Sequence, residues 1–165
     1  MTADIPSWET TRGTTASGRL LCFDPGVTTG WALFIDGLLD SAGQIATATV
    51  PELLDSLDVL LQARIRPPPP VNLIMERYAI YPDKAGQHIG STVHTIQVIG
   101  AIKMYAALDW PDTPIIEQGA GQAKGFGSTA KLKAWKMWQT AQPHANDAIR
   151  HGVYFLTFGL PKSKR

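Results

Sequence analysis

The sequence predicts an α/β fold, a mixed five-stranded sheet with three antiparallel strands followed by two parallel strands, flanked by helices. Near the N-terminus, three short apolar stretches follow one another closely, and Asp36-Gly37 separates the last two. That dipeptide is typical of a hairpin turn, because both of its positions favour positive φ. From about residue 50 onwards, helical and strand-like apolar patterns alternate, which is typical of parallel strands joined by crossover helices.

Five segments carry the strand patterns. Residues 20–23 form a continuous apolar run, which suits a central strand buried on both faces. The second strand is predicted over residues 30–35, and the third runs from Leu38 towards Ile45. Residues 71–75 predict the fourth strand, and Ile115-Ile116 predicts a short fifth strand.

The remaining segments are predicted as helices or loops. Leucines on one face predict a helix that begins near Pro51, where proline is tolerated in the first turn. Residues 87–108 predict a long helix with two apolar stripes, so that a second subunit is expected to cover one of them. Residues 119–127 are predicted as a glycine-rich loop. A short helix is expected to hold Lys131, Lys133, Trp135 and Trp138, and a last helix to span residues 143–158.

The composition bounds the architecture and the cellular setting. A chain of 165 residues is the size of one domain. We expect a flexible tail over residues 1–18, a single folded domain over 19–160 and a basic tail over 161–165. A single cysteine, Cys22, excludes an internal disulfide and favours a cytoplasmic, reducing compartment. The sequence has no apolar run of membrane-spanning length and no secretory signal, so we expect no membrane partner.

Charge is distributed unevenly along the chain. Residues 1–118 carry seven Lys/Arg and thirteen Asp/Glu, whereas residues 119–165 carry eight Lys/Arg and one Asp. A basic C-terminal third favours a polyanionic partner on one face of the protein, although a solvated basic surface is the alternative.

Two carboxylates lie at predicted strand ends. Asp24 directly follows the first strand and Glu76 directly follows the fourth. Asp24-Pro25-Gly26 is also good turn chemistry, so a turn role is the simplest alternative for Asp24. If the fourth strand lies beside the first, the carboxylates are neighbours, and a proton, a basic residue or a metal must relieve their repulsion. Arg77 is adjacent in sequence, but its side chain should point to the opposite face.

The start of the last helix supplies further candidate ligands. His144 and Asp147 are three residues apart and His151 follows four residues later, which places all three on one helical face. Stabilisation of the helix dipole is the alternative role for Asp147. Three carboxylates with one imidazole suit Mg²⁺ or Mn²⁺ better than a structural zinc. A pair of such ions can activate a water and stabilise the leaving oxygen of a phosphodiester.

The ordered set of motifs resembles the RuvC family of Holliday-junction resolvases, which has an RNase H-like fold. The motifs lie in the expected order over about residues 19–158, and the His-x-x-Asp-Ala-x-Arg-His form is similar to phage-type members. The resemblance implies a homodimer that cuts two opposed strands of a four-way DNA junction with two Mg²⁺ ions, Mn²⁺ being able to substitute. It rests on Leu21-Cys22-Phe23-Asp24-Pro25-Gly26 with Thr29-Gly30-Trp31-Ala32, Met75-Glu76-Arg77, Gly127-Ser128-Thr129-Ala130-Lys131 and His144-Ala145-Asn146-Asp147-Ala148.

The resemblance also assigns roles to individual residues. The implied metal ligands are Asp24, Glu76, His144 and Asp147. Lys131, in the family-like segment, is expected to steady the attacking water or the scissile phosphate as a fifth catalytic residue.

Other residues are expected to contact DNA. Where the family has an aromatic residue, three positions after its second acidic residue, this chain has Ala79; Tyr78 and Tyr81 flank it and are the candidates for stacking at the junction. The basic residues expected to bind phosphate are Lys124 and Lys131, with Lys133, Lys162, Lys164 and Arg165 as outer contacts.

Three other functions are compatible with parts of the pattern. The segment from Asp24 to Gly30 also resembles a phosphate loop of the sugar-kinase and actin superfamily, but those proteins need two such domains to enclose ATP. A non-catalytic nucleic-acid-binding module would keep the fold, yet every expected ligand position holds a group that can bind metal. A nuclease of looser specificity, acting on flaps, branches or RNA–DNA hybrids, would share the catalytic residues. No small-molecule cofactor is expected.

Overall fold

The computed structural model describes residues 5–13, 17–47, 49–64, 69–78 and 91–159. Within these residues the strands form a single sheet of order β3-β2-β1-β4-β5, in which β1, β2 and β3 are antiparallel and β4 and β5 continue parallel to β1. This arrangement confirms the predicted α/β fold class. The elements are α1 (Trp8–Thr11), β1 (Arg19–Asp24), β2 (Thr28–Ile35), β3 (Leu38–Ala46), α2 (Val50–Arg64), β4 (Asn72–Glu76), α3 (Ser91–Asp109), β5 (Ile115–Gln118), α4 (Ala120–Phe126), α5 (Thr129–Ala134) and α6 (Pro143–Phe158).

The predicted hairpin joins β2 and β3. Asp36 and Gly37 both have positive φ, of 49° and 77°, as a two-residue turn of this kind requires. The Asp36 carboxylate also accepts a hydrogen bond from the Gly18 backbone N–H at 2.8 Å. The hairpin is therefore fixed to the residue that precedes β1.

Helices cover both faces of the sheet, and β1 contributes to both cores. Leu20 and Cys22 pack on the side of α6, while Leu21 and Phe23 pack on the side of α2 and α3. Because successive side chains of a strand point to opposite faces, a strand buried on both sides has a continuous apolar run. The predicted central position of β1 is confirmed.

The segment predicted as a glycine-rich loop is a helix instead. Ala120–Phe126 forms α4, and Ala123 within it is fully buried. Gly127 follows the last residue of α4, and an added Cβ there would contact the Arg150 side chain on α6. Within α4, packing against α6 outweighs the low helix propensity of Gly121 and Gly125. The next helix is shorter than predicted, because it ends at Ala134 and leaves both Trp135 and Trp138 outside it.

Residues 5–13, which lie within the segment predicted as a flexible tail over residues 1–18, pack against the domain. Trp8 is 3% exposed, and its indole N–H donates to the Gly37 carbonyl at 2.8 Å. The Trp135 indole N–H donates to the Pro6 carbonyl at 2.9 Å, and the Trp8 and Trp135 ring centroids are 5.1 Å apart. Residues 1–4, 14–16 and 160–165 lie outside the described residues, so the exact domain limits stay predictions.

Helix α3 has a buried side and an exposed apolar side. Val98 and Ile102 are buried against β-sheet side chains, whereas Ile96, Met104 and Leu108 are exposed by 51%, 50% and 73%. Ile96, Met104 and Leu108 lie on one i, i+4 row of the helix, and this row is the exposed apolar side. The predicted helical residues 87–90 lie outside the described residues. Among the helices that the structure describes, none combines the length and the apolar character needed to cross a membrane.

Candidate metal centre

Two carboxylates lie side by side at one edge of the sheet. Asp24 is the last residue of β1 and Glu76 is the last residue of β4. The two strands are parallel neighbours, with Phe23 opposite Met75, so their carboxyl ends meet at the same edge. Asp24 is 8% exposed. The expected adjacency of these strand ends is confirmed.

The start of α6 brings His144 to Asp24. The His144 Nδ1 lies 2.8 Å from Asp24 Oδ2. Gly30 is opposite Asp24 in the β1–β2 register, and a Cβ at Gly30 would overlap the His144 backbone carbonyl. On the other side, the Gln44 side-chain oxygen accepts a hydrogen bond from the His144 N–H at 2.8 Å. A glycine on β2 and an amide on β3 therefore determine where α6 begins.

Asp147, one helical turn further along, joins the same cluster through basic side chains. The Lys124 Nζ lies 3.0 Å from Asp147 Oδ2 and 3.8 Å from Glu76 Oε2. Arg150 forms an ion pair with the other Asp147 oxygen and donates to the Gly127 carbonyl at 2.8 Å. The Lys124 ammonium thus lies between two carboxylates from different elements.

The acidity of the carboxyl groups reflects this crowding. The pKa of Asp24 is raised to about 6, mainly by burial; the hydrogen bond with His144 lowers it, and the charges of Glu76 and Asp147 add to the rise. Burial likewise acts to raise the pKa of Glu76, but a hydrogen bond from His151 and the charge of Lys124 outweigh it, so that this pKa lies below its ordinary value. One buried carboxyl therefore holds its proton more tightly than usual beside two other carboxyl groups.

Two buried threonines hold the turn that follows Asp24. The Thr47 hydroxyl donates to the Gly26 carbonyl at 2.6 Å and lies 3.0 Å from the Thr29 hydroxyl. Both threonines are fully buried. Asp24 therefore lies at the end of β1, where the chain reverses into β2 through residues 25–27, as the turn alternative expects, and it also belongs to the carboxylate cluster.

The donor set suits a hard divalent cation. Asp24, Glu76 and Asp147 offer carboxylate oxygens and His144 offers one imidazole nitrogen, a combination that Mg²⁺ and Mn²⁺ accept. Among the described residues, no three acidic, histidine or cysteine side chains already converge on one point as a ligand set. The carboxylates instead pair with Lys124, Arg150 and the histidines.

Lys124, rather than Lys131, is the lysine of this cluster. The Lys131 Nζ lies over the Phe126 ring, 4.1 Å from its centroid, and in the described part of the chain it forms no ion pair with these carboxylates. Lys133 lies over Trp138 at 5.7 Å. The helix that replaces the predicted loop is what places Lys124 at the site.

The other expected DNA contacts are placed only in part. Tyr78 is partly buried two residues beyond β4. Tyr81 and the terminal Lys162, Lys164 and Arg165 lie outside the described residues.

Residues that the sequence reasoning missed connect His151 to the site. His151 is fully buried; its Nε2 lies 3.3 Å from Glu76 Oε2 and its Nδ1 lies 3.0 Å from Gln118 Oε1. The helical spacing marked His151 as a candidate ligand, but nothing marked Gln118 or Gln44. A polar residue ending a strand, as Gln118 ends β5, is the signal that identified Asp24 and Glu76 and would also have found Gln118.

The sheet order and the crossover helices define an α/β protein of the RuvC-like, RNase H-like fold. A solved structure with this fold is Thermus thermophilus RuvC, described as "T. thermophilus RuvC in complex with Holliday junction substrate"; the TM-score is 0.63 at 14% sequence identity, over 83% of this chain and 91% of that chain. The sequence matches no protein-family model and no curated protein. The structural likeness establishes the fold.

Proposed function

We propose that this protein is a metal-dependent endonuclease that cuts branched DNA, four-way junctions above all. The observation that carries the proposal is the meeting of Asp24, Glu76, His144 and Asp147 from three separate elements at one edge of the sheet. The chain shares its fold with a protein described in complex with a Holliday junction. A site of this composition on this fold is suited to phosphodiester hydrolysis.

Each residue of the cluster has a role in this proposal. Asp24, Glu76, Asp147 and His144 hold the divalent ions, with Asp24 at the centre because it lies beside both Glu76 and His144. When bound, such ions activate a water and stabilise the leaving oxygen of the phosphodiester. The burial of Asp24 keeps bulk water away from one side of the site.

Lys124 and the surface around it bind the substrate phosphate. Lys124 is 47% exposed while its Nζ contacts Asp147, so it can turn from the carboxylates towards a bound phosphate. Lys131 and Lys133, on the next helix, extend the positive surface, and each ammonium is held over an aromatic ring. Their main effect is on the affinity for DNA and its dependence on salt.

A homodimer would give paired cuts. The exposed apolar row of Ile96, Met104 and Leu108 on α3 is the surface we assign to the interface, because a monomer would leave it in water. Two-fold symmetry would then present two metal centres to opposed strands of one junction.

The proposal is tested with Asp24→Asn. We expect this variant to lose cleavage of a four-way junction in Mg²⁺ while it binds the junction as well as the wild type or more tightly, since a negative charge near the phosphate has been removed. Asp112→Asn changes an exposed aspartate outside the cluster and is the matched control. Cleavage by Asp24→Asn at the wild-type rate would remove the basis of the assignment.

Substrate specificity is measured separately. The wild-type protein is compared on a four-way junction, a flap and an RNA–DNA hybrid under identical conditions. We expect the junction to be cut fastest and symmetrically. Equal rates on all three would point to a nuclease of looser specificity.

A further inference from the structure

His151 is buried next to the metal centre without facing solvent. It is fully buried in the middle of α6, one helical turn beyond Asp147. Both of its ring nitrogens have partners in the protein, Glu76 Oε2 at Nε2 and Gln118 Oε1 at Nδ1. An imidazole with both nitrogens engaged has no lone pair directed at an ion.

Its two partners come from neighbouring parallel strands. Glu76 ends β4 and Gln118 ends β5, and the two residues are opposite each other in the strand register. The backbone also ties them together, because the Arg77 N–H donates to the Gln118 carbonyl at 2.7 Å. The imidazole therefore bridges two strand ends from the helix above them, and Gln118, 3% exposed, holds the far side of the ring.

The protons on the ring follow from its partners. An ionised Glu76 carboxylate only accepts hydrogen bonds, so Nε2 must carry a proton. The buried Gln118 amide nitrogen has no hydrogen-bond partner among the residues that the structure describes. Turning the Gln118 amide over would direct this nitrogen at Nδ1, and a neutral ring would then have a donor for one nitrogen and an acceptor for the other.

We propose that His151, oriented by Gln118, is a positioning residue that fixes the Glu76 carboxylate for metal binding and is not itself a ligand. This inference rests on the proposed function for the role of Glu76. A carboxylate at a strand end is otherwise free to rotate about its side-chain bonds. Partners that orient a metal ligand in this way commonly change metal affinity by about 10- to 100-fold when they are removed.

The contact itself is tested without metal. In the metal-free protein, ¹⁵N NMR of the histidine rings should show a proton on Nε2 of His151, and the Glu76 carboxyl ¹³C signal should move in His151→Phe but little in His151→Gln. Glutamine keeps an N–H donor near the Nε2 position, whereas phenylalanine fills the space without one. An unprotonated Nε2, or equal shifts in the two variants, would overturn the proposal.

The consequence for metal is tested with Mn²⁺ alone. Calorimetric titration should show Mn²⁺ binding about 10- to 100-fold weaker in His151→Phe and close to wild type in His151→Gln, with Gln118→Met between them. Electron spin-echo spectroscopy should show an imidazole nitrogen coordinated to Mn²⁺, that of His144, both in the wild type and in His151→Gln. Loss of that signal in His151→Gln would make His151 a ligand and refute the proposal.

The two proposals fail in different ways. If the wild-type protein binds no Mn²⁺, the metal-dependent function fails, while the NMR result still decides whether His151 holds Glu76. If the wild type binds Mn²⁺ and cuts DNA but His151→Phe binds Mn²⁺ as well as His151→Gln does, the positioning role is refuted and the nuclease proposal is unaffected. Thermal unfolding of each variant confirms that it is folded at the temperature of measurement.

Discussion

The Asp24 side chain is nearly buried among groups of its own charge, and this has a cost in the metal-free protein. A pKa that rises from about 3.8 in the unfolded chain to about 6 in the folded protein means that the folded state binds the proton more tightly. As pH rises from below 3.8 to above 6, this group lowers the free energy of unfolding by about 3 kcal/mol in total. Asp24, which we propose to hold metal, therefore lowers the stability of the folded protein when no metal is bound.

The pH dependence of unfolding checks this at one residue. We expect Asp24→Asn to raise the Tm of the metal-free protein at pH 8, where the wild-type carboxylate is charged. The advantage should shrink as pH falls through about 6 towards 4, because the wild-type carboxyl is then protonated in the fold. The pKa of Glu76 is shifted in the opposite direction, and comparing the two proteins at each pH removes the part of its contribution that does not depend on Asp24. A Tm difference that does not change with pH would contradict the prediction.

His144 gives a second prediction at this scale. Its Nδ1 faces Asp24 Oδ2 at 2.8 Å, and the ring is 43% exposed, so it is accessible to an ion that Asp24 binds. His144→Asp should keep cleavage, since it restores an oxygen donor, whereas His144→Ala should lose most of it. Nitrogen ligation also favours Mn²⁺ over Mg²⁺ at limiting metal in the wild type. Normal cleavage by His144→Ala would show that His144 is not a metal ligand.

At the scale of whole elements, the site depends on how closely α6 approaches the sheet. Gly30 on β2 permits the approach, since any Cβ there would overlap the His144 carbonyl. Asn146, 1% exposed, holds the chain before the helix through hydrogen bonds to the backbone of Gln139 and Gln142. The helix start is therefore fixed from both sides.

Gly30→Ala tests the importance of that approach. We expect it to move His144 away from Asp24 and to lower the cleavage rate by about 100-fold, the scale of a displacement of about 1 Å at an active site. Gly121→Ala is the matched control, because a Cβ at Gly121 would meet no other part of the described chain within 4 Å beyond the backbone of its own helix. The measurement is single-turnover cleavage together with Tm. Equal rates for the two variants would show that the approach at Gly30 does not matter.

The elements show which parts of the fold can be predicted from sequence. Apolar runs and the Asp36-Gly37 turn are local signals, and they predict the five strands and the hairpin correctly. The pairing of β4 with β1, which brings Asp24 beside Glu76, is a long-range contact that the structure shows. Helix α4 was not predictable in this way, because a glycine-rich segment becomes helical through packing of Ala123. The helix on which α4 packs is α6, a separate segment of the chain, so no pattern within residues 119–127 indicates this packing.

Part of the candidate site could likewise be predicted from local signals in the sequence, and part could not. Asp24, Glu76, His144 and Asp147 lie at element ends, which is the signal that the sequence carries. The pairing of β1 with β4 and the packing of α6 on the sheet bring them together. The choice between Lys124 and Lys131 depended on the path of α4, and the sequence favoured the lysine that instead lies over Phe126. Gln118 ends a strand, as Asp24 and Glu76 do, but its contact with His151 depends on how α6 packs on the sheet, which only the structure shows.

At the scale of the whole molecule, the exposed apolar row of α3 is the surface that we expect to form a dimer interface. Met104→Glu combined with Leu108→Glu should give a monomer by light scattering at concentrations where the wild type is a dimer, because each burial of a charge at the interface is unfavourable. Val59→Glu adds a charge to an exposed apolar residue on α2 and is the control. The monomeric variant should also lose paired cutting of a junction. A wild type that is monomeric where it is active would contradict the interface.

The contact between Trp8 and Trp135 also bears on the order in which the protein folds. The hydrogen bond from Trp135 to Pro6 joins positions 129 residues apart, so forming it early would close a very long loop at a large entropic cost. Contacts of such sequence separation become favourable once the intervening chain is already compact. We therefore expect the N-terminal segment to dock last during folding and to detach first under mild denaturant, leaving the sheet and its cluster of carboxylates in place.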